Sequence, residues 1–178
     1  MKAFKYLVGL LVCAILFVAS SCQDKQIKEE LSKFKQAELL KATNIEMAKK
    51  FYKYLDELNF DTLRTLCDPI IKVYYESEDP VSFTDMEPFI KMFYGAFPDY
   101  KHQIDEIYAT DDKVIVRLTY TGTHTNDFME IKPTGNKFSY KGIQIFQFAN
   151  NNVINFWAVE DELGMMNQLG MEMKPKKP

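Results

Sequence analysis

Between Tyr100 and Glu160 the chain offers four strand-length segments, 100–109, 113–124, 137–149 and 153–160, set off by turn signals. Those signals are Asp111-Asp112, Pro133-Thr134-Gly135 and Asn150-Asn151-Asn152. Strands joined by turns pair antiparallel, because a parallel neighbour needs a crossover of a dozen residues or more. Upstream the apolar spacing is helical. Ile45, Ala48, Phe51, Tyr52, Leu55 and Leu58 predict an amphipathic helix over 45–58, with Asn44 as its N-cap. A short helix over 60–67 follows and is stopped by Pro69. Residues 70–76 read as a strand, and Thr84 as the cap of a helix running to Phe97. A last helix is expected over about 161–170. Helices first and strands afterwards indicate an α+β domain, with helices packed on one face of a curved sheet.

In front of this domain stands a different kind of sequence. Lys2 and Lys5 precede an uncharged run from Leu7 to Ala19, which is too short for the ~20 residues that span a bilayer. A basic start, a short apolar run and small residues describe a secretory signal. Ala19-Ser20-Ser21-Cys22 resembles the lipobox cut by lipoprotein signal peptidase, so residues 1–21 are expected to leave and Cys22 to carry lipid. The expected protein is a membrane-anchored lipoprotein of the cell envelope, facing the periplasm or the outside, anchored to the membrane without spanning it. Residues 22–43 read as a charged tether, 44–172 as the domain and 173–178 as a tail.

Losing Lys2 and Lys5 takes two of the 22 basic residues and none of the 25 acidic ones, leaving a charge of about −5. A mildly acidic chain without a basic cluster argues against nucleic acid as a partner. Of the three cysteines, Cys13 leaves with the signal and Cys22 takes the lipid. Cys67 then has no disulfide partner and reads as a small buried residue.

Side chains alternate between faces along a strand. Val114, Val116, Leu118, Tyr120 and His124 share one parity, and Trp157, Val159 and Asp161 share another row. Tyr100, His102, Ile104, Glu106 and Tyr108 form a third. Pairing could bring Asp161, His124 and several rings to one cavity. A carboxylate and an imidazole in an apolar hollow are the minimum for general acid–base chemistry. The plainer reading stays open beside it: Asp161 as the N-cap of the last helix, and His124 as a satisfied polar residue at a strand end.

Four segments carry a resemblance: Ala96-Phe97-Pro98-Asp99, Gly122-Thr123-His124-Thr125 with Phe128, Lys132-Pro133-Thr134-Gly135, and Trp157 to Gly164 ending in Gln168-Leu169-Gly170. Together, over about residues 45–171, they resemble the SnoaL-like polyketide cyclases and the ester cyclase group. The resemblance implies a nuclear transport factor 2-like cone, a curved antiparallel sheet with three helices around a deep pocket. It implies Asp161 and His124 as catalytic residues. Trp157, Tyr120, Tyr100, His102 and Phe146 are the expected substrate-binding residues, with no metal and no cofactor. In such cyclases the aspartate removes a proton beside a carbonyl, and aldol addition closes a ring. Three functions are weighed: a cofactor-independent cyclase, isomerase or lyase; an envelope lipoprotein that holds an apolar or aromatic ligand unchanged; and a homodimer formed through the sheet face bearing Gln103, Arg117 and Thr119.

Overall fold

The computed structural model describes residues 2–75 and 77–171, with side chains from Asp24 onward. The expected lipid-bearing side chain of Cys22, the side chains of the leader and the tail at 173–178 lie outside the described residues. The chain divides into two units, residues 1–40 and 41–178. In the first, Ile27, Leu31, Phe34, Leu39 and Leu40 are all exposed. Among the described residues no helix is long and apolar enough to cross a membrane.

The first helix, α1, is Lys2–Asp56. Asn44 therefore sits inside a helix, buried, rather than capping one, and the helix ends two residues before the expected Leu58. Leu58 has a positive φ of 53°, a left-handed conformation that cannot continue the helix. α2 (Phe60–Arg64) is capped by Asn59, whose side chain accepts from Thr62 N. It is shorter than expected because the chain turns into β1 (Cys67–Tyr75), which takes up Pro69 near its start. A two-residue strand, β2 (Val81–Ser82), had no sequence signal. It leads into α3 (Phe83–Ala96), where the N-cap is Ser82 rather than Thr84: its hydroxyl accepts from Asp85 N at 3.1 Å. The rest follows the expected order: β3 (Lys101–Ala109), β4 (Lys113–Thr123), β5 (Lys137–Ala149), β6 (Asn152–Glu160) and α4 (Glu162–Gln168).

The six strands form one curved sheet in the order β2-β1-β6-β5-β4-β3. All pairs are antiparallel except β1 and β6, which run parallel. The expectation of a purely antiparallel sheet is corrected there. β2, α3 and the three strands β3, β4 and β5 intervene between β1 and β6, long enough to serve as a crossover. As the parity of β4 predicts, Val114, Val116, Leu118 and Tyr120 are all buried. The inner row of β5 (Phe138, Tyr140, Gly142, Gln144, Phe146, Phe148) is buried throughout, with Gln144 as its one strongly polar member.

Candidate functional site

The inner face of the sheet, the end of the 41–56 stretch of α1 and one side of α3 enclose a cavity of about 100 Å³. α3 supplies Phe83, Met86, Phe89, Ile90 and Phe93, and Phe51, Ile71, Val73 and Phe156 extend this apolar wall. Apolar burial of this kind is the main source of folding energy, and a cavity inside it favours uncharged, apolar guests. The polar atoms collect on the other wall, from His102 of β3, Tyr140 and Gln144 of β5, Glu160 of β6 and Tyr75 of β1. Among the described residues neither Lys nor Arg lines the cavity.

Glu160 is the carboxyl group of this wall. Gln144 Nε2 donates to its Oε1 at 2.9 Å, and Tyr140 donates to its Oε2 at 3.2 Å. The Tyr75 hydroxyl lies 3.4 Å from the same Oε2 and donates at 2.6 Å to Glu162, the first residue of α4. The Tyr100 and Tyr140 hydroxyls are 2.7 Å apart, which extends the chain of hydroxyls along the wall. Burial pushes the proton affinity of Glu160 above the ordinary glutamate range, against the Gln144 bond, the charge of His102 and the tyrosines, which favour the carboxylate. Burial also holds Tyr75, Tyr100 and Tyr140 far above the usual phenol value, so all three remain proton donors.

A second ionisable pair lies on the same wall. His102 Nδ1 is 2.6 Å from Asp56 Oδ1, and both side chains are largely buried. The Tyr94 hydroxyl donates to the same oxygen at 2.8 Å, and the His102 backbone N–H reaches Oδ2 at 3.4 Å. Burial alone would raise the Asp56 pKa. The bond and charge of His102, with the Tyr94 bond, outweigh it and hold the carboxyl below the ordinary aspartate range. Two nearby polar atoms are buried without a partner among the described residues: the Tyr52 hydroxyl and Gln144 Oε1. Among the described residues no cluster of three or more His, Cys, Asp or Glu could hold a metal ion.

The residues singled out from sequence divide sharply. Tyr100 and His102 line the cavity. Tyr120 and Phe146 are fully buried one layer behind it, Tyr120 stacked 4.6 Å from Tyr140 and Phe146 packed against Phe51 and Phe156. Gly142 makes that stack fit, since a Cβ there would lie 2.8 Å from the Tyr120 ring. Trp157 is on the opposite face of the sheet, stacked 5.2 Å from Tyr74.

Asp161 and His124 are not brought together at the cavity. Asp161 is exposed and caps α4, its Oδ1 accepting from Gly164 N at 2.9 Å. His124 is fully buried, but against Phe97 and the 124–136 loop: Thr134 N donates to its Nδ1 at 3.3 Å, and its own backbone ties to Asn136 and Gly135. The reason lies in β6. Phe156 and Ala158 form its buried row, so Glu160 continues inward, whereas Trp157 and Val159 form its outer row and send Asp161 away. Both rows are apolar, and parity alone could not rank them. In β3 the expected row is broken by a bulge at Asp105, which turns Glu106 and Tyr108 outward. Sequence reasoning missed Glu160, Asp56, Tyr75, Tyr140 and Gln144. The signal that was present is Gln144, a polar side chain at the centre of an otherwise apolar inner row.

A model of the SnoaL-like polyketide cyclase family matches residues 45–169. A search of curated proteins finds no match. Among solved structures, AclR of Streptomyces galilaeus, a candidate hydroxylase, superposes with a TM-score of 0.68 at 26% identity, over 73% of this chain and 97% of that one. IdmH of Streptomyces antibioticus, a candidate polyketide cyclase, gives 0.65 at 23% identity over 71% and 97%. A SnoaL-like candidate cyclase of Jannaschia sp. CCS1 gives 0.67 at 17% identity over 75% and 96%, a likeness of fold alone.

Proposed function

Because the chain belongs to the SnoaL-like polyketide cyclase family, we propose that its domain carries out cofactor-free proton transfer on a small, uncharged carbonyl compound, with Glu160 as the cavity's proton-exchanging carboxyl. The observation that carries this reading is the setting of Glu160. It is a carboxyl group with raised proton affinity, in an apolar cavity, held by Gln144 and Tyr140. A carboxyl with raised proton affinity is a better proton donor and acceptor for such chemistry than a solvated one, and such a group contributes about 10²–10⁴-fold to a rate. Enolisation, isomerisation and aldol-type ring closure all begin with such a transfer. The solved relatives include a candidate hydroxylase and a candidate cyclase, so the fold by itself does not choose among reactions.

The second reading is an envelope lipoprotein that holds the same kind of molecule unchanged, favoured by the size of the apolar wall. One experiment separates the two. Residues 23–178 and the Glu160→Gln variant are incubated with an extract of the native cell envelope, and retained molecules are identified by mass spectrometry. A molecule altered by the wild type and returned intact by Glu160→Gln supports the enzyme. A molecule held intact by both leaves the binding protein.

Two further parts of the proposal rest on separate grounds. The Ala19–Cys22 pattern supports lipid attachment and an envelope location. A homodimer through the outer sheet face is supported by a cross-strand row of paired residues, Tyr74, Trp157, Ile145, Ile115 and Tyr108, with Tyr108 60% exposed.

A further inference from the structure

We infer that the cavity holds a second catalytic residue and that the two have opposite roles: His102, oriented by Asp56, takes the substrate's proton at Nε2, while Glu160 supplies one to the carbonyl oxygen. The inference rests on the proposed proton-transfer function and divides its labour.

The geometry begins with Asp56. It closes the last turn of α1 and accepts from Tyr94 at 2.8 Å and from His102 Nδ1 at 2.6 Å, with the His102 backbone N–H on its other oxygen. The Tyr94 hydroxyl and the His102 backbone N–H, two donors on one carboxyl, stabilise its ionised form, and an ionised carboxylate can only accept. Nδ1 must then carry the hydrogen. In the neutral ring this leaves Nε2 as a lone-pair acceptor, the atom left for anything in the cavity. The ring itself cannot turn. It is boxed by Tyr52, Tyr100 and Tyr120, with centroids 5.2, 5.2 and 5.3 Å away. Carboxylate, Nδ1–H and a free Nε2 in a fixed ring are the parts of an oriented general base.

Glu160 differs in each respect. Among the described residues no Lys or Arg side chain lines its cavity, its Oε1 and Oε2 accept from a neutral amide and a neutral phenol, and burial favours its protonated form. A ring held by a carboxylate and a carboxyl held by neutral donors divide the base from the acid.

The step balances. Nε2 removes a proton from the carbon beside the carbonyl, and the C–H electron pair becomes the C=C bond of an enol. The C=O π pair moves to oxygen, which takes the proton of Glu160. The substrate stays neutral throughout, while imidazolium beside Asp56 and carboxylate at Glu160 share the separated charge. Return of the proton to the same carbon, with the enol O–H going back to Glu160, resets both groups. This favours neutral ketones over acids, because a ligand carboxylate would meet Glu160 with no Lys or Arg to offset it.

The chain has two histidines, and the structure gives them opposite tautomers. His124 accepts a backbone N–H at Nδ1, so its hydrogen is on Nε2. Long-range ¹H–¹⁵N NMR on residues 23–178 distinguishes the two rings without any substrate. One Nδ1–H ring, lost in His102→Gln and altered in Asp56→Asn, is the expected result. Two Nε2–H rings at neutral pH overturn the assignment. Deuterium incorporation into cyclohexanone in D₂O is the companion measurement. It should fall about 10²-fold in His102→Gln, and by at least tenfold in Asp56→Asn, which keeps the ring and serves if the first variant is unstable. Wild-type exchange that persists undiminished in both variants overturns the role of His102. No wild-type exchange above buffer instead counts against the proposed function, and the tautomer result then still decides whether His102 is the oriented base.

Discussion

Glu160 and Asp161 are consecutive carboxylates that face away from each other. Glu160 lines the cavity and accepts from Gln144 and Tyr140, while Asp161 is exposed and holds the first turn of α4 through Gly164 N. A strand sends neighbours to opposite faces, and here that alternation separates a candidate reacting group from a structural one.

Asp161 should therefore behave as a cap. Asp161→Ala is expected to cost about 1 kcal/mol, and Asp161→Asn almost nothing, since Asn caps as well as Asp. Gly164→Ala should cost at least as much as the alanine variant, because its Cβ would lie 2.2 Å from Asp161 Oδ2 and break the cap. Urea unfolding of the three variants measures this.

Glu160 should cost the fold stability at neutral pH. Its pKa is raised in the folded state, so the folded chain binds a proton more tightly than the unfolded one. Stability then falls as pH rises from the ordinary glutamate value through the raised one. Glu160→Gln removes that dependence, and its stability relative to wild type should improve across the window. Asp56 works the other way. Its lowered pKa contributes stability at neutral pH that is lost as pH falls through the lowered value, so Asp56→Asn should narrow its deficit in acid. Thermal unfolding of each variant over a pH series tests both signs.

How much of this was legible beforehand can be read from single residues. The strands of the hairpin region, the inward row from Val114 to Tyr120 and the helix carrying Phe89 and Phe93 all follow from apolar period. β2 was not legible, because a two-residue strand has no period. Nor was the Asp105 bulge, which needs the partner strand to define it. Parity placed Asp161 rather than Glu160 at the cavity because Phe156/Ala158 and Trp157/Val159 are equally apolar. The deciding fact is tertiary: the Phe156 row meets α1 through Phe51, whereas Trp157 stacks on Tyr74 with Lys113 over its ring on the outer face.

Trp157 offers an optical test of that face. It is the single tryptophan and lies across the sheet from the cavity. Filling the cavity with cyclohexanone should leave its emission unchanged, whereas dissociating a sheet-face dimer by dilution should shift it. Val159→Lys and Ile143→Lys, both at exposed positions paired across β5 and β6, should give a monomer by analytical ultracentrifugation. An emission change that tracks ketone concentration would contradict this placement.

Cys22→Ser in the full chain should abolish metabolic labelling with radioactive palmitate and move the protein from the membrane to the soluble fraction. Labelling that survives the substitution would mean that the anchor is elsewhere.

The central claim is that the proton-exchanging carboxyl is Glu160 and not its neighbour. The direct test is the rate of deuterium incorporation into cyclohexanone by three proteins of equal folded fraction: wild type, Glu160→Gln and Asp161→Asn. A loss of about 10²-fold or more in Glu160→Gln, with Asp161→Asn within about twofold of wild type, is the predicted result. A loss confined to Asp161→Asn would contradict it and return the chemistry to the exposed end of α4.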